Sequence, residues 1–230
     1  MAVQRFLRNN KGRDYVVGDL HGCYNLLLDK LDCIQFDFSN DRLFCVGDLV
    51  DRGPNSSKVV YLLDQPWFFS VTGNHERLAV SYHNEIAPNK EITEQYLGNG
   101  SYWFLELLEA EKRSIISRLE QLPIAIEVET GSGIVGIVHA DCPYNNWTEF
   151  VNHLTDQRIP RNYRMKLVDT ATRNRVRLRE KDNAFLSGVN KVYHGHTTVV
   201  EPVTLGNRLY IDTGAVFTGN LTVLQLDSIV

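Results

Sequence analysis

Short apolar runs alternate with helically spaced aliphatic residues through the first third of the chain. DYVVGD (14–19) reads as a strand and precedes Leu26, Leu27, Leu28, Leu31 and Ile34 at helical spacing. RLFCVGD (42–48) reads as a second strand, followed by Val59, Val60, Leu62 and Leu63, and Trp67-Phe68-Phe69-Ser70-Val71 is a third. This β-α-β-α-β beginning predicts parallel strands covered on both faces, an arrangement that gathers ligands at the carboxyl ends of the strands. Each run ends in glycine and a polar cluster: Gly18-Asp19-Leu20-His21-Gly22, Gly47-Asp48, and Gly73-Asn74-His75-Glu76. One such break could be no more than a corner; three in register ask for a shared purpose.

From His83 to Gly100 the chain is polar and irregular, and helical patterns follow in SYWFLELLEA (101–110) and around Ile115, Ile116 and Leu119. We expect a helical insertion over 83–122 with a mobile entrance. After Pro123 the period shortens again. IAIEVET (124–130), a Gly131-Ser132-Gly133 turn, IVGIVHA (134–140), KVYHGHT (191–197), RLYIDTG (208–214) and LTVLQL (221–226) read as strands, richer in antiparallel signals than the first half. No linker, repeat or low-complexity segment divides the 230 residues, so a single domain, 1–230, is expected.

Composition changes little in this picture. A chain with 43% hydrophobic and 23% charged residues can bury a substantial core and has the profile of an ordinary globular protein. The net charge of -4 predicts no general affinity for nucleic acid or anionic membrane. The amino-terminal stretch has no apolar run long enough for a signal region, and no later run approaches the roughly 18 residues of a membrane span, so a soluble, unsecreted, cytoplasmic protein is expected. Cys23, Cys33, Cys45 and Cys142 lack C-x-x-C spacing and fall in segments that read as buried or nearly so. They are expected as reduced core thiols, not a disulfide framework or zinc knuckle.

The chemistry lies in the strand-end residues taken together: Asp19, His21, Asp48, Asn74, His139 after IVGIV and His196 after KVYHG. Carboxylate, imidazole and amide without thiolate suit Mn²⁺, Fe or Zn²⁺ better than a structural zinc site. There are enough for two ions. With Asp48 bridging, Asp19 and His21 would complete one, and Asn74, His139 and His196 the other. Two ions about 3.5–4 Å apart can share a hydroxide and clamp the attacking and leaving oxygens of an in-line displacement at phosphorus. Taken singly, Asp-x-His after a strand is usually a capped turn, and His139 alone would be a satisfied strand-end histidine. GDLVDRG (47–53) is more specific, because a turn needs no second Asp followed by Arg.

GDLHG, GDLVDRG, GNHE, VHAD and GHT, in that order and with YIDTGAVF (210–217) near the end, resemble the phosphoprotein phosphatase branch of the calcineurin-like metallophosphoesterases. The likeness is strongest to bacterial and lambda-phage-type serine/threonine protein phosphatases, and runs from Asp14 to about Leu226. It implies an α/β fold with a central mixed β-sandwich of two sheets flanked by helices. It also implies two divalent ions, Mn²⁺ ahead of Fe, Zn²⁺ and Mg²⁺, with Asp19, His21 and Asp48 around one and Asp48, Asn74, His139 and His196 around the other. His75 is then the general acid, Asp51 its partner carboxylate, and Arg52 a fork for two phosphate oxygens. Glu76 is expected to do no more than favour the first turn of a helix.

A second phosphate-binding arginine is expected in TRNRVRLRE (172–180), where Arg173 fits the family pattern best; Arg175, Arg177 and Arg179 would be largely a solvated face or a basic rim for acidic phosphopeptides. Two positions depart from the pattern. His194 stands where relatives tend to have an aromatic or aliphatic residue, and Asp141 could hydrogen-bond a ligand histidine or cap a turn. The implied activity is metal-dependent hydrolysis of phosphoserine and phosphothreonine in proteins or peptides, extending to phosphotyrosine and aryl phosphates. A symmetrical diadenosine tetraphosphate hydrolase is the enzymatic rival. Such enzymes resemble GDLVARG and GNHD, where this chain has Asp51 and Glu76. A catalytically silent phospho-binding module is the third reading, and it would be expected to have lost a ligand or the acid.

Overall fold

A computed structural model describes residues 1–85 and 90–226. In chain order its elements are β1 (Val3–Phe6), β2 (Asp14–Val17), α1 (Tyr24–Cys33), β3 (Arg42–Cys45), α2 (Ser56–Val60), β4 (Phe68–Ser70) and α3 (Asn74–Asn84). Three helices follow, α4 (Lys90–Gly98), α5 (Tyr102–Leu105) and α6 (Glu109–Leu119), before the hairpin β5 (Ala125–Thr130) and β6 (Gly133–Val138). Then come α7 (Trp147–Thr155), α8 (Arg161–Arg173), α9 (Val176–Glu180), β7 (Lys191–His194), β8 (Val203–Leu205), β9 (Arg208–Tyr210), α10 (Ala215–Thr218) and β10 (Val223–Gln225).

The strands form two mixed sheets, β10-β2-β3-β4 and β1-β5-β6-β7-β9-β8. Side-chain alternation explains why they face one another. Val16, Phe44 and Val71 meet Ile126, Val128, Val135, Ile137, Tyr193 and Leu209 between the sheets. Their strand neighbours Tyr15, Val17, Leu43 and Cys45 point the other way, into the core formed with α1 to α6. On the far side Ala125, Val138 and Val192 pack under Trp147, Phe150 and Leu154 of α7 and Leu167 and Ala171 of α8. Each fully buried Phe or Leu here contributes roughly 1.5–3 kcal/mol, so the alternation fixes the register of both sheets.

β2, β3 and β4 pair parallel, as do β6, β7 and β9. Six carboxyl ends therefore open on one edge of the sandwich. The expected antiparallel character of the second half appears in the β5–β6 and β8–β9 pairs and in β10, which runs antiparallel to β2. Residues 147–180, left without structure by the sequence reading, fold as α7, α8 and α9 and supply the long crossover that parallel pairing of β6 with β7 requires. Within the insertion, SYWFLELLEA is two helices, because Glu111 accepts from the backbone N–H of Leu108 at 3.0 Å and starts α6 afresh. Part of the polar stretch expected as irregular is helical, in α4; residues 86–89 of the expected entrance lie outside the described residues. Cys45 and Cys142 are buried free thiols, whereas Cys33 at the end of α1 is exposed, contrary to expectation.

Candidate active site

The loops after β2, β3 and β4 are stitched together before any side chain joins them. Leu20 N–H and His21 N–H both donate to the Asp48 carbonyl, at 3.1 and 2.8 Å, and Gly22 N–H donates to Leu49 at 2.8 Å. Glu76, fully buried on α3, accepts from Gly73 N–H at 2.7 Å, Asp48 N–H at 2.9 Å, Leu49 N–H at 2.7 Å and Val50 N–H at 3.2 Å. It is thus the clamp between the second and third motifs, a larger part than its expected one in a helix turn. Burial and the nearby Asp48 push its pKa up to about 7 in spite of those amides. Strain gathers here as well. Of seven non-glycine residues with positive φ among those described, five are His21, Asp48, Asp51, Arg52 and His196.

Asp48 is the hub. Its carboxylate lies 3.3 Å from His139 Nε2, 3.6 Å from His21 Nε2 and 4.0 Å from His75 Nε2, and accepts from His75 N–H at 3.1 Å. Against the cost of burial, His139, His75 and His21 hold its carboxyl well below the usual carboxylate range. Two sets of ligand atoms meet on it, His21–Asp48–His75 and Asp48–His139–His196, each with its atoms within 4.8 Å of one another. Asn74 Oδ1 lies 3.2 Å from His139 Nε2 and so joins the second set. Asp19 belongs to neither; its carboxylate accepts from His196 N–H at 3.0 Å.

The imidazoles are oriented as ligands need to be. His21 Nδ1 and His139 Nδ1 meet the carbonyls of Val50 and Val46 at 2.8 and 2.7 Å, which leaves each Nε2 turned toward Asp48. His196 is turned the other way: Nε2 lies 3.0 Å from the Arg173 carbonyl, and the buried Nδ1 has no hydrogen-bond partner. Burial lowers the pKa of His21 to about 4 and of His196 to about 3, keeping both neutral. Burial, with Asp212 and Asp48 beside it, pushes the Asp19 carboxyl well above its ordinary range. Three buried carboxylates, none paired with Lys or Arg among the described residues, with neutral imidazole nitrogens aimed between them, fit divalent cations. The close backbone approach also restricts the sequence. A Cβ at Gly73 would collide with Asp48 Oδ1, and one at Gly195 with Asp19 Oδ1.

His75 Nδ1 lies 2.6 Å from Asp51 Oδ2, and its Nε2 is buried without a partner. Burial works against the imidazolium, but Asp48 and the Asp51 hydrogen bond outweigh it, and the pKa is raised. Asp51 is itself fully buried and accepts from the Trp103 indole N–H at 2.9 Å. The insertion thus reaches back into the site. Arg52 is braced by its own N–H to the Gly100 carbonyl at 3.2 Å; its guanidinium lies 2.5 Å from His21 Nε2 and over the Phe217 ring at 5.3 Å.

Among the four candidate arginines, Arg173 turns its side chain to Asp169 at 3.6 Å, and only its carbonyl reaches the site. Arg175 donates to Thr197 Oγ1 at 3.3 Å; burial and Arg179 lower its pKa while Asp48, Asp19 and Asp212 raise it, so its guanidinium stands in the field of the carboxylates. Arg177 is paired with Asp141 at 3.1 Å and with Asp182. Asp141 therefore holds an arginine and not a ligand histidine. His194 is fully buried, stacked on Tyr210 at 4.9 Å, and does not share a strand face with His196, which lies beyond the end of β7. The sequence reading missed Glu76 as a clamp, Trp103 and Asp212. For Asp212 a signal existed, since it is a carboxylate ending a strand-like run, as Asp19 and Asp48 are. For Trp103 there was none, its contact spanning 52 positions.

Two facing mixed sheets with a buried carboxylate–imidazole centre at their shared edge define a metal-dependent hydrolase of the metallophosphoesterase type. The chain belongs to the calcineurin-like phosphoesterase family, whose model matches residues 15–200. It is 32% identical over 228 residues to serine/threonine-protein phosphatase 1 of Salmonella typhimurium, spanning 97% of this chain and 96% of that one. It is 35% identical over 133 residues to the symmetrical bis(5'-nucleosyl)-tetraphosphatase of Coxiella burnetii, a match over 51% of this chain and 41% of the relative. A solved structure provisionally named a diadenosine tetraphosphatase shares the fold, with a TM-score of 0.65 and 23% identity over 98% of this chain and 94% of its own. No helix among the described residues is long and apolar enough to cross a membrane.

Proposed function

We propose that this phosphoesterase is a serine/threonine protein phosphatase that hydrolyses phosphomonoesters on proteins or peptides, with phosphotyrosine and aryl phosphates as further substrates. The observation that carries the reading is the Asp51–His75 pair at 2.6 Å, seated under Trp103. The tetraphosphate hydrolases resemble GDLVARG at the second motif and would lack this carboxylate. Similarity to a named protein phosphatase over nearly the whole chain, against about half for the tetraphosphatase, supports the same side.

Asp19, His21, Asp48, Asn74, His139 and His196 would hold two divalent ions, Mn²⁺ ahead of Fe, Zn²⁺ and Mg²⁺, in keeping with a donor set without thiolate. When bound, the ions supply Lewis-acid charge at the phosphoryl oxygens and lower the pKa of a water. The rest is the work of the chain. Asp51 fixes the His75 ring through Nδ1 and favours its protonated form, so that Nε2 can give a proton to the departing alkoxide. Arg52 and Arg175 approach the centre from two sides and would hold the non-bridging oxygens, Arg175 taking the part first assigned to Arg173. A cytoplasmic location, with neither nucleic acid nor membrane as partner, belongs to the same proposal.

The test is hydrolysis by metal-stripped protein of a phosphoserine peptide and of diadenosine tetraphosphate, side by side, with Mn²⁺, Mg²⁺ or Zn²⁺ restored. Phosphate release from the peptide only on metal addition is the expected result. Preference for the dinucleotide would overturn the substrate while keeping the centre, and no turnover of either would leave a phospho-binding module.

A further inference from the structure

Nine of the chain's 24 Lys and Arg residues lie between Arg158 and Lys181, against two carboxylates, in a protein whose net charge is -4. Part of this excess is committed: Arg177 is paired with Asp141 and Asp182, and Arg158 with Asp156. Of the rest, Arg173, Arg175 and Arg179 line a cleft of about 360 Å³ between the end of α8 and α9, with Asp169, Thr170, Asn174 and Val176. Its only carboxylate is Asp169, already shared between Arg77 at 3.9 Å and Arg173 at 3.6 Å. Arg179 is exposed and close enough to Arg175 to lower its pKa after burial has done so.

The cleft is continuous with the metal centre. The Arg173 carbonyl holds His196, and Arg175 bonds Thr197, the next residue. Arg179 sits one helical turn beyond Arg175, its N–H donating to the Arg175 carbonyl at 3.1 Å. One turn advances about 5.4 Å, close to the roughly 6.6 Å between same-face side chains two residues apart in an extended peptide. A phosphate held by Arg52 and Arg175 thus leaves Arg179 facing the residue two positions away.

We infer that this arginine cleft is a specificity surface that selects phosphopeptides with a Glu or Asp two positions from the phosphorylated residue. The inference rests on the protein phosphatase reading above. It assigns Arg179 a role that touches substrate without touching the reacting phosphate, so its removal acts on recognition.

The experiment compares two phosphothreonine peptides, identical except for Glu or Gln at the second positions on either side, with full-length Mn²⁺-loaded protein at about 50 and 200 mM NaCl. Wild type is expected to show a KM about three- to tenfold lower for the acidic peptide at low salt, narrowing as exposed ion pairs are screened. Arg179→Glu is expected to erase or invert that preference, Arg179→Gln to reduce it, with kcat changing less than about twofold. Equal KM values for the two peptides, or a preference indifferent to Arg179→Glu, would overturn the inference and leave the phosphatase reading standing. Hydrolysis of neither peptide would overturn both. A circular-dichroism melt matching wild type confirms that these exposed substitutions leave the fold intact.

Discussion

The floor of the site and its arginine rim are built on opposite principles. On the floor, Asp48, His21, His75, His139 and Asp51 are all at most 4% exposed, each held by hydrogen bonds, and several sit in backbone conformations that side chains rarely adopt. On the rim, Arg52, Arg173 and Arg179 are exposed, and the partners of Arg52 and Arg173 there, Phe217 and Asp169, are themselves open to water. Groups that bind cations and move protons must be in place before substrate arrives, and burial strengthens their fields. Groups that meet a variable peptide gain from water around them and from freedom to adjust. Substitutions on the floor should therefore cost turnover, and those on the rim should cost affinity.

Five substitutions can break or sharpen that division. The largest effect is expected for Asp48→Asn, which disturbs both ligand sets at once. Phosphopeptide kcat should fall by roughly 10³–10⁴-fold, the scale of losing a group on which several others depend. His75→Asn should lower kcat by about 10²–10³-fold, and a substrate with a better leaving group, such as p-nitrophenyl phosphate, should suffer less. Equal losses for the two substrates would count against the proton-donor role. Arg175→Gln should lower kcat/KM by about tenfold to a hundredfold, as for a lost charged hydrogen bond, and Arg173→Gln by less than about threefold. The reverse order would return the phosphate to Arg173. Trp103→Phe is expected to have a small effect, above only that of Arg173→Gln. Losing one indole hydrogen bond to Asp51 should cost kcat about three- to tenfold with KM nearly unchanged, as read from steady-state kinetics on one peptide.

The same division governs how much could be read from the chain. The motifs after β2, β3 and β4 announce themselves because tight, strained loops pack several demanding residues into a few positions, as in Gly47-Asp48-Leu49-Val50-Asp51-Arg52-Gly53. His139 and His196 were found only as single histidines ending strands, and their partnership depends on Asp48, 91 positions before the nearer one. Trp103 was missed and Arg175 ranked behind Arg173 for another reason. Each acts through tertiary proximity alone: Trp103 belongs to a helix of four residues, and Arg175 stands in the short link between α8 and α9. The crossover helices were missed where α8 carries a polar, arginine-rich face, and with them the parallel pairing of β6 and β7. Glu76 was underestimated because an acid in a first helical turn already has an ordinary explanation.

The most direct test of the account is a metal count, made by equilibrium dialysis against Mn²⁺ followed by atomic emission, on wild type, Asp48→Asn and His75→Asn. Two ions per chain in wild type and in His75→Asn, but fewer than one in Asp48→Asn, is the predicted pattern, since both ligand sets meet on that carboxylate. Two ions retained by Asp48→Asn at wild-type affinity would contradict the shared hub.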